Sequence, residues 1–141
     1  MLYFACDHAG YPLKADLIAF CREKGLQFVD LGTDSTDSVD FPVFCKKLTQ
    51  MVALDPQNRG VLICGSGIGM SICANRQRGI RAALCLDNDT VFLARQHNDA
   101  NVLVLAGRKT PARRAKRMLD TFLSTPSLDG KYARRMHLID E

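Results

Sequence analysis

Gly60-Val61-Leu62-Ile63-Cys64-Gly65-Ser66-Gly67-Ile68-Gly69 decides how this chain folds. Its first five residues are a short apolar run of the kind that fills a strand buried on both faces. The glycines at 65, 67 and 69 that follow let successive backbone N–H groups converge on an anion, and a helix opening behind them adds the positive end of its dipole. Cys64 thus stands at the mouth of an anion-binding turn, where a thiol is expected to ionise easily. The plainer reading of Cys64 is a small hydrophobe ending a strand, as most cysteines are. A dinucleotide fingerprint needs Gly or Ala at position 70, where this chain has Met70, and a P-loop needs Gly-Lys followed by Ser or Thr. What remains is an anion cradle with its own thiol and with Ser66 as an added donor, suited to stabilising a developing oxyanion beside a base or nucleophile.

Outward from this stretch the chain alternates. Leu2 to Cys6 reads as a strand ending at Asp7-His8-Ala9-Gly10. Pro12 to Lys24 reads as a helix with Leu13, Leu17, Ile18 and Phe20 on its apolar face, closed by Gly25. Gln27 to Leu31 is the second strand, and a loop rich in Asp, Ser and Thr leads to a helix from Phe41 to about Leu54, ended by Asp55-Pro56. After Gly60–Cys64 come a helix from about Gly67 to Arg76, a strand from Ile80 to Leu86, and a helix capped by Asn88 that runs to about Gln96. Asn101 to Leu105 is the fifth strand; Thr110 as cap and Pro111 as first helical residue open the next helix. Short apolar strands separated by helices predict an α/β domain of three layers, α/β/α, with a five-stranded parallel, Rossmann-like sheet. Sites in such folds lie beyond the carboxyl ends of strands, which selects Asp7-His8, Cys64 to Gly69 and Gly107-Arg108. His97-Asn98, at the end of a helix, does not follow that rule.

A chain of 141 residues that is 47% hydrophobic supports one domain with one contiguous core. No apolar run reaches the roughly 18 residues that a membrane span needs, and the opening residues carry no signal-peptide pattern. Six cysteines without a CxxC spacing, in a chain with ample core, read as reduced thiols in a cytoplasmic protein. Three histidines and no Cys/His cluster at zinc spacing give no expectation of a metal site. The formal charge of +4 is concentrated between Arg108 and Arg135, where basic residues far outnumber Asp120 and Asp129. Arg113, Arg114, Lys116 and Arg117 fit a solvated helix face, and no aromatics are interleaved among them for base stacking; a small phosphorylated ligand is favoured over nucleic acid.

The motifs Asp7-His8-Ala9-Gly10, Asp30-Leu31-Gly32-Thr33, Asp40-Phe41-Pro42, Ile63-Cys64-Gly65-Ser66-Gly67-Ile68-Gly69-Met70, Ala74-Asn75, Gly79-Ile80-Arg81-Ala82, Arg95-Gln96-His97-Asn98-Asp99-Ala100-Asn101 and Gly107-Arg108 occur in that order over essentially the whole chain. Together they resemble the type B ribose 5-phosphate isomerases, whose family also holds the galactose 6-phosphate and allose 6-phosphate isomerases. The resemblance implies aldose–ketose isomerisation through a cis-enediol without metal or organic cofactor. It implies Cys64 as the base and Ser66 with the amides of Gly65, Gly67, Ile68 and Gly69 as holders of the enediolate oxygen. His97, with Asp7 nearby, would open the sugar ring. His8, Arg108, Lys131 and Arg135 would bind phosphate, and Asn98 the sugar hydroxyls.

A homodimer, or a tetramer built from dimers, is also implied, with the site completed across the interface and the tail from about 127 to 141 contributing to phosphate binding and dimer contacts. No nucleic-acid or membrane partner is expected. The tail departs from the family's Gly-Gly-Arg-His, reading Asp129-Gly130-Lys131-Tyr132-Ala133-Arg134-Arg135, so Lys131 keeps charge without a bidentate fork. Phe41 stands where a tyrosine is common. Some relatives use a glutamate at the position of Met70, so Cys64 has no substitute as base here. A hexose 6-phosphate isomerase and a non-catalytic phosphosugar- or nucleic-acid-binding module are the alternatives.

Overall fold

Successive residues of the three long strands face opposite ways and are nearly all apolar, so the sheet must be covered on both sides. The computed structural model describes residues 1–141. It alternates β1 (Leu2–Cys6), α1 (Tyr11–Glu23), β2 (Phe28–Asp30), α2 (Phe41–Ala53), β3 (Arg59–Cys64) and α3 (Ile68–Ala74). It continues with β4 (Ala82–Leu84), α4 (Asn88–Asn98), β5 (Val102–Ala106), α5 (Ala112–Ser124) and α6 (Lys131–Asp140). The strands pair in parallel in the order β2-β1-β3-β5-β4. Leu2, Phe4, Cys6, Val61, Ile63, Leu103 and Leu105 pack on α1, α5 and Val91 of α4. Tyr3, Ala5, Leu62, Cys64, Val102 and Val104 pack on α2 and α3. The predicted three-layer α/β/α class is the observed one. No helix is long and apolar enough to cross a membrane.

Two features of this topology position the site. After β1 the chain goes first to one side, to β2, and then to the other, to β3, so the strand order reverses between β1 and β3; such a switch point leaves a crevice at the carboxyl ends of the two strands. Register then levels those ends, pairing Cys6 with Ile63 and Cys64 with Ala106, so the loops after β1, β3 and β5 leave the sheet side by side.

Boundaries differ from expectation where local capping decides them. Asp87, not Asn88, caps α4: its carboxylate accepts from the Thr90 amide at 2.8 Å and the Thr90 hydroxyl at 2.7 Å, and these bonds hold it below the usual carboxylate range. The helix after β5 begins at Ala112 because the Thr110 amide bonds back to Ala106 O, closing a turn, and Pro111 keeps an extended ψ of 144° as N-cap. Thr110 does not cap it; its hydroxyl is buried without a partner. The strands at the two sheet edges, β2 and β4, pair over three residues each and are shorter than the apolar runs suggested.

The edge strand β2 and the segment after it are clamped by a buried cation. Lys14 of α1 is fully buried, and its Nζ donates to Asp30 Oδ1 at 2.5 Å and to Thr33 O at 2.7 Å. Asp30 Oδ1 also accepts from the Gly32 amide at 3.0 Å, while just before Asp7 the Cys6 amide donates to Gly32 O and the Thr33 amide to Cys6 O. Removing one partner leaves an uncompensated buried charge, whereas an apolar pair of like volume does not. Asp30→Ala is therefore expected to lower unfolding free energy in urea by about 3 kcal/mol, and Lys14→Met with Asp30→Leu to recover most of it. A loss under about 1 kcal/mol for the single variant would mean that solvent already screens the pair.

Candidate active site

The crevice at the switch point is a pocket of about 270 Å³ lined by Asp7, His8, Ala9, Phe41, Cys64, Gly65, Ser66, Gly69 and Arg108. Each polar side chain from the β1 end is fixed by backbone. Asp7 Oδ1 accepts from the amides of Ala9 and Gly10, both at 3.0 Å, leaving Oδ2 without a partner in the chain. The Val39 amide donates to His8 Nδ1 at 3.2 Å, which places the ring's N–H on Nε2.

From β3, the chain turns at Gly67, whose φ of 77° is one that glycine adopts freely and whose hypothetical Cβ would lie 2.4 Å from Leu84 Cδ1. Ser66 Oγ accepts from the Ile68 amide at 3.2 Å, so its hydroxyl proton remains available. The amides of Gly65, Ser66, Gly67, Gly69 and Met70 find no acceptor in the chain. Five donors in one turn make this an anion cradle. Cys64 closes β3 at its edge, 5% exposed, with its own carbonyl held by the Gly107 amide at 2.8 Å. The exposed Arg108 side chain has no carboxylate or carbonyl partner, and its Nη1 would lie 3.2 Å from a Cβ placed on Gly65.

Four further thiols are buried in the core. Burial raises Cys6 to about 11 and Cys85 to about 12, and it pushes Cys21 and Cys45 up as well. Such thiols stay protonated and serve as core.

His97, Asn98, Lys131 and Arg135 are not in this pocket. A helix between parallel strands runs back against them, so the C-terminal end of α4 lies at the amino edge of the sheet, opposite Cys64. There His97 and Tyr132 line a second cavity of about 150 Å³ with Arg81, Asp99, Asp129 and His137 among its walls. Asn98 is exposed and borders an adjoining apolar hollow with Ile80, Met136 and Ile139. Lys131 and Arg135 are exposed on α6. The expectation of Asp7 beside His97 therefore does not hold within one chain. The same polarity that gathers the carboxyl ends of the strands keeps the carboxyl ends of the connecting helices away from them.

A family model described as Ribose/Galactose Isomerase matches residues 2–139. This chain belongs to that family. A ribose 5-phosphate isomerase from Thermotoga maritima is 48% identical, superposes with a TM-score of 0.96, and is matched over 99% of this chain and 96% of its own. A ribose-5-phosphate isomerase B from Mycoplasma genitalium, solved with bound ribulose-5-phosphate, is 34% identical with a TM-score of 0.95, covering 99% of this chain and 93% of that one. Ribose-5-phosphate isomerase B of Escherichia coli (strain K12) is 38% identical over 136 residues, 96% of this chain and 91% of its own length. As a member of the ribose/galactose isomerase family, the protein is an isomerase.

Sequence reasoning did not single out the Val39 amide, which orients His8 through a backbone contact that leaves no compositional trace. Nor did it assign a role to Tyr132, noted only as a departure in the tail. Its pairing with His97 across 35 positions needs the fold. Ala9 and Phe41 were within the quoted motifs, and their side chains form the pocket's apolar wall. Because the atom nearest a Cβ on Gly65 is the far end of the flexible Arg108 side chain, Gly65→Ala should displace the guanidinium without unfolding the protein. We expect a melting temperature within about 3 °C of the wild type and roughly ten-fold weaker inorganic phosphate binding by calorimetry. Unchanged phosphate affinity would remove Arg108 from the anion site.

Proposed function

We propose that the protein interconverts ribose 5-phosphate and ribulose 5-phosphate through a cis-enediolate, without metal or organic cofactor, in the cytoplasm. The observation that carries this reading is the thiol of Cys64 beside a turn with five unpaired amides, in a family member 48% identical to a ribose 5-phosphate isomerase.

In the open-chain aldose, the Cys64 thiolate removes the proton on C2 while the electron pair moves to O1, and the loop amides with Ser66 hold the charge that develops. Returning that proton to C1, with transfer of the O2 proton towards O1, gives the ketose; no electrons leave the substrate. Met70 is buried and its thioether is no base, so nothing at that position replaces the thiol here. His97 opens the furanose ring by proton transfer, and Asn98 binds sugar hydroxyls. His8 and Arg108, with Lys131 and Arg135, hold the phosphate, whose two negative charges suit a cationic enclosure.

The two halves of this constellation lie at opposite edges of the sheet, so they meet only if a second copy supplies one of them. We therefore read the working unit as a homodimer, or a tetramer of such dimers, with β-strand loops from one protomer facing α4 and α6 of its partner.

Wild-type protein in EDTA should convert ribose 5-phosphate faster than allose 6-phosphate. Cys64→Ala should abolish turnover, by about four orders of magnitude, while retaining ligand binding. Preference for the six-carbon sugar would reassign the substrate, and substantial activity in Cys64→Ala would discard the thiol mechanism. Mixing refolded Cys64→Ala and His97→Ala chains in equal amounts tests the shared site. Random pairing places one intact site in half of the dimers, so activity should return to about a quarter of wild type; if both residues act within one chain, it stays near zero.

A further inference from the structure

His97 is held differently from Asp7, His8 and Ser66. Asp7, His8 and Ser66 are each fixed by backbone amides at 3.0–3.2 Å. Neither nitrogen of His97 has a hydrogen-bond partner in the chain. Its one specific contact is the ring of Tyr132, with centroids 4.6 Å apart and planes 13° from parallel.

The stack fixes the plane of the imidazole through its faces and leaves both nitrogens free at its rim. That is the arrangement a proton carrier needs when its partner is a substrate and not another side chain. Tyr132 is itself anchored. It sits in the first turn of α6, one residue after Lys131, whose Nζ lies 5.3 Å from the ring centroid. Around it, the Leu128 amide bonds to Gln96 O at 2.9 Å, Arg81 pairs with Asp140 at 2.8 Å, and Met136 is buried, so α6 is fastened to the end of α4 on either side of the stack.

We propose that Tyr132 is the positioning residue for His97: its ring orients the imidazole for opening the sugar ring and ties that orientation to the helix that carries the phosphate-binding Lys131. The proposal rests on the reading of His97 as the ring-opening group. It assigns the role to the aromatic face and none to the phenol hydroxyl.

Ring opening can be separated from isomerisation by substrate choice. Ribose 5-phosphate closes to a furanose through its C4 hydroxyl, whereas 4-deoxyribose 5-phosphate lacks that hydroxyl and stays an open aldehyde. For Tyr132→Leu, which fills the space without a flat ring, kcat on ribose 5-phosphate should fall roughly ten-fold while kcat on the 4-deoxy compound changes less than about two-fold. Tyr132→Phe should behave as wild type on both. His97→Ala, run in parallel, should show the same selective loss in larger measure.

Equal losses on both substrates in Tyr132→Leu, or a Tyr132→Phe variant as poor as Tyr132→Leu, would overturn the proposal while leaving His97 in its role. If His97→Ala shows no selectivity for the cyclic substrate, the ring-opening reading falls and the proposal falls with it. Thermal melting of each variant establishes that the folded enzyme is being compared. Should Tyr132→Leu not fold, Tyr132→Met carries the same expectation, since a thioether also lacks a plane to stack.

Discussion

Everything functional in this chain follows from the polarity of a parallel sheet. Backbone pairing requires β1, β3 and β5 to run the same way, so their carboxyl ends, with Asp7, His8, the Cys64 loop and Arg108, collect at one edge. Each connecting helix must then return, which delivers the end of α4, with His97 and Asn98, to the other edge. No adjustment of side chains brings the two together in one chain. Under the proposed reading a second copy joins them, and the exposed apolar side chains of Ile68, Ile72, Phe92, Leu93, Leu138 and Ile139 on α3, α4 and α6 offer surface for such contacts.

The two edges are held by different physics. At the strand-end side, order comes from close approach of backbone: a Cβ on Gly10 would lie 2.4 Å from Ile63 O, and one on Gly107 2.8 Å from Ala9 O. The helix-end side is held by charge. Asp99, at a φ of 41° as the cap of α4, accepts from Arg95 at 2.8 Å and Arg81 at 3.0 Å, and Arg81 reaches on to Asp140 of α6. Arg95 is nearly buried and also donates to Ala100 O and Thr125 O, so the network is attached to the core and not merely laid over it. Removing Asp99 would strand the Arg95 guanidinium with carbonyls alone.

Much of this was legible in the residues. Runs such as Val61-Leu62-Ile63 and Val102-Leu103-Val104 are apolar at consecutive positions, and their shortness and flanking glycines select a strand covered on both faces. The carboxyl-end rule then located the pocket without coordinates. Helix starts were less legible, because the caps expected at Asn88 and Thr110 are each displaced by one position, and the outcome depends on which backbone bond the preceding turn makes first. The resemblance implied a site completed across an interface, but the motifs themselves do not say that His97 and Asp7 are the parts a single chain keeps apart. The stack of Tyr132 on His97 was invisible for the same reason that makes it informative: it joins two elements through a contact that neither local pattern requires.

The contrast between the edges bears on how substrates are distinguished. Around the Cys64 loop an added methyl at Gly10, Gly67 or Gly107 meets backbone or packed core, so that half has little room to vary while it still folds. At the start of α6 the φ of 69° still favours glycine at 130, but Met136 is the helix's one buried side chain, so less of that edge is packed core. The chemistry of proton transfer at C1 and C2 is common to aldose phosphates of any length, whereas the distance from C1 to the phosphate changes with each added carbon. Under the proposed reading, the element that must follow that distance is the one carrying Lys131 and Arg135. On that reading, substrate length is set where α6 docks on α4, and the proton transfer at the opposite edge of the sheet.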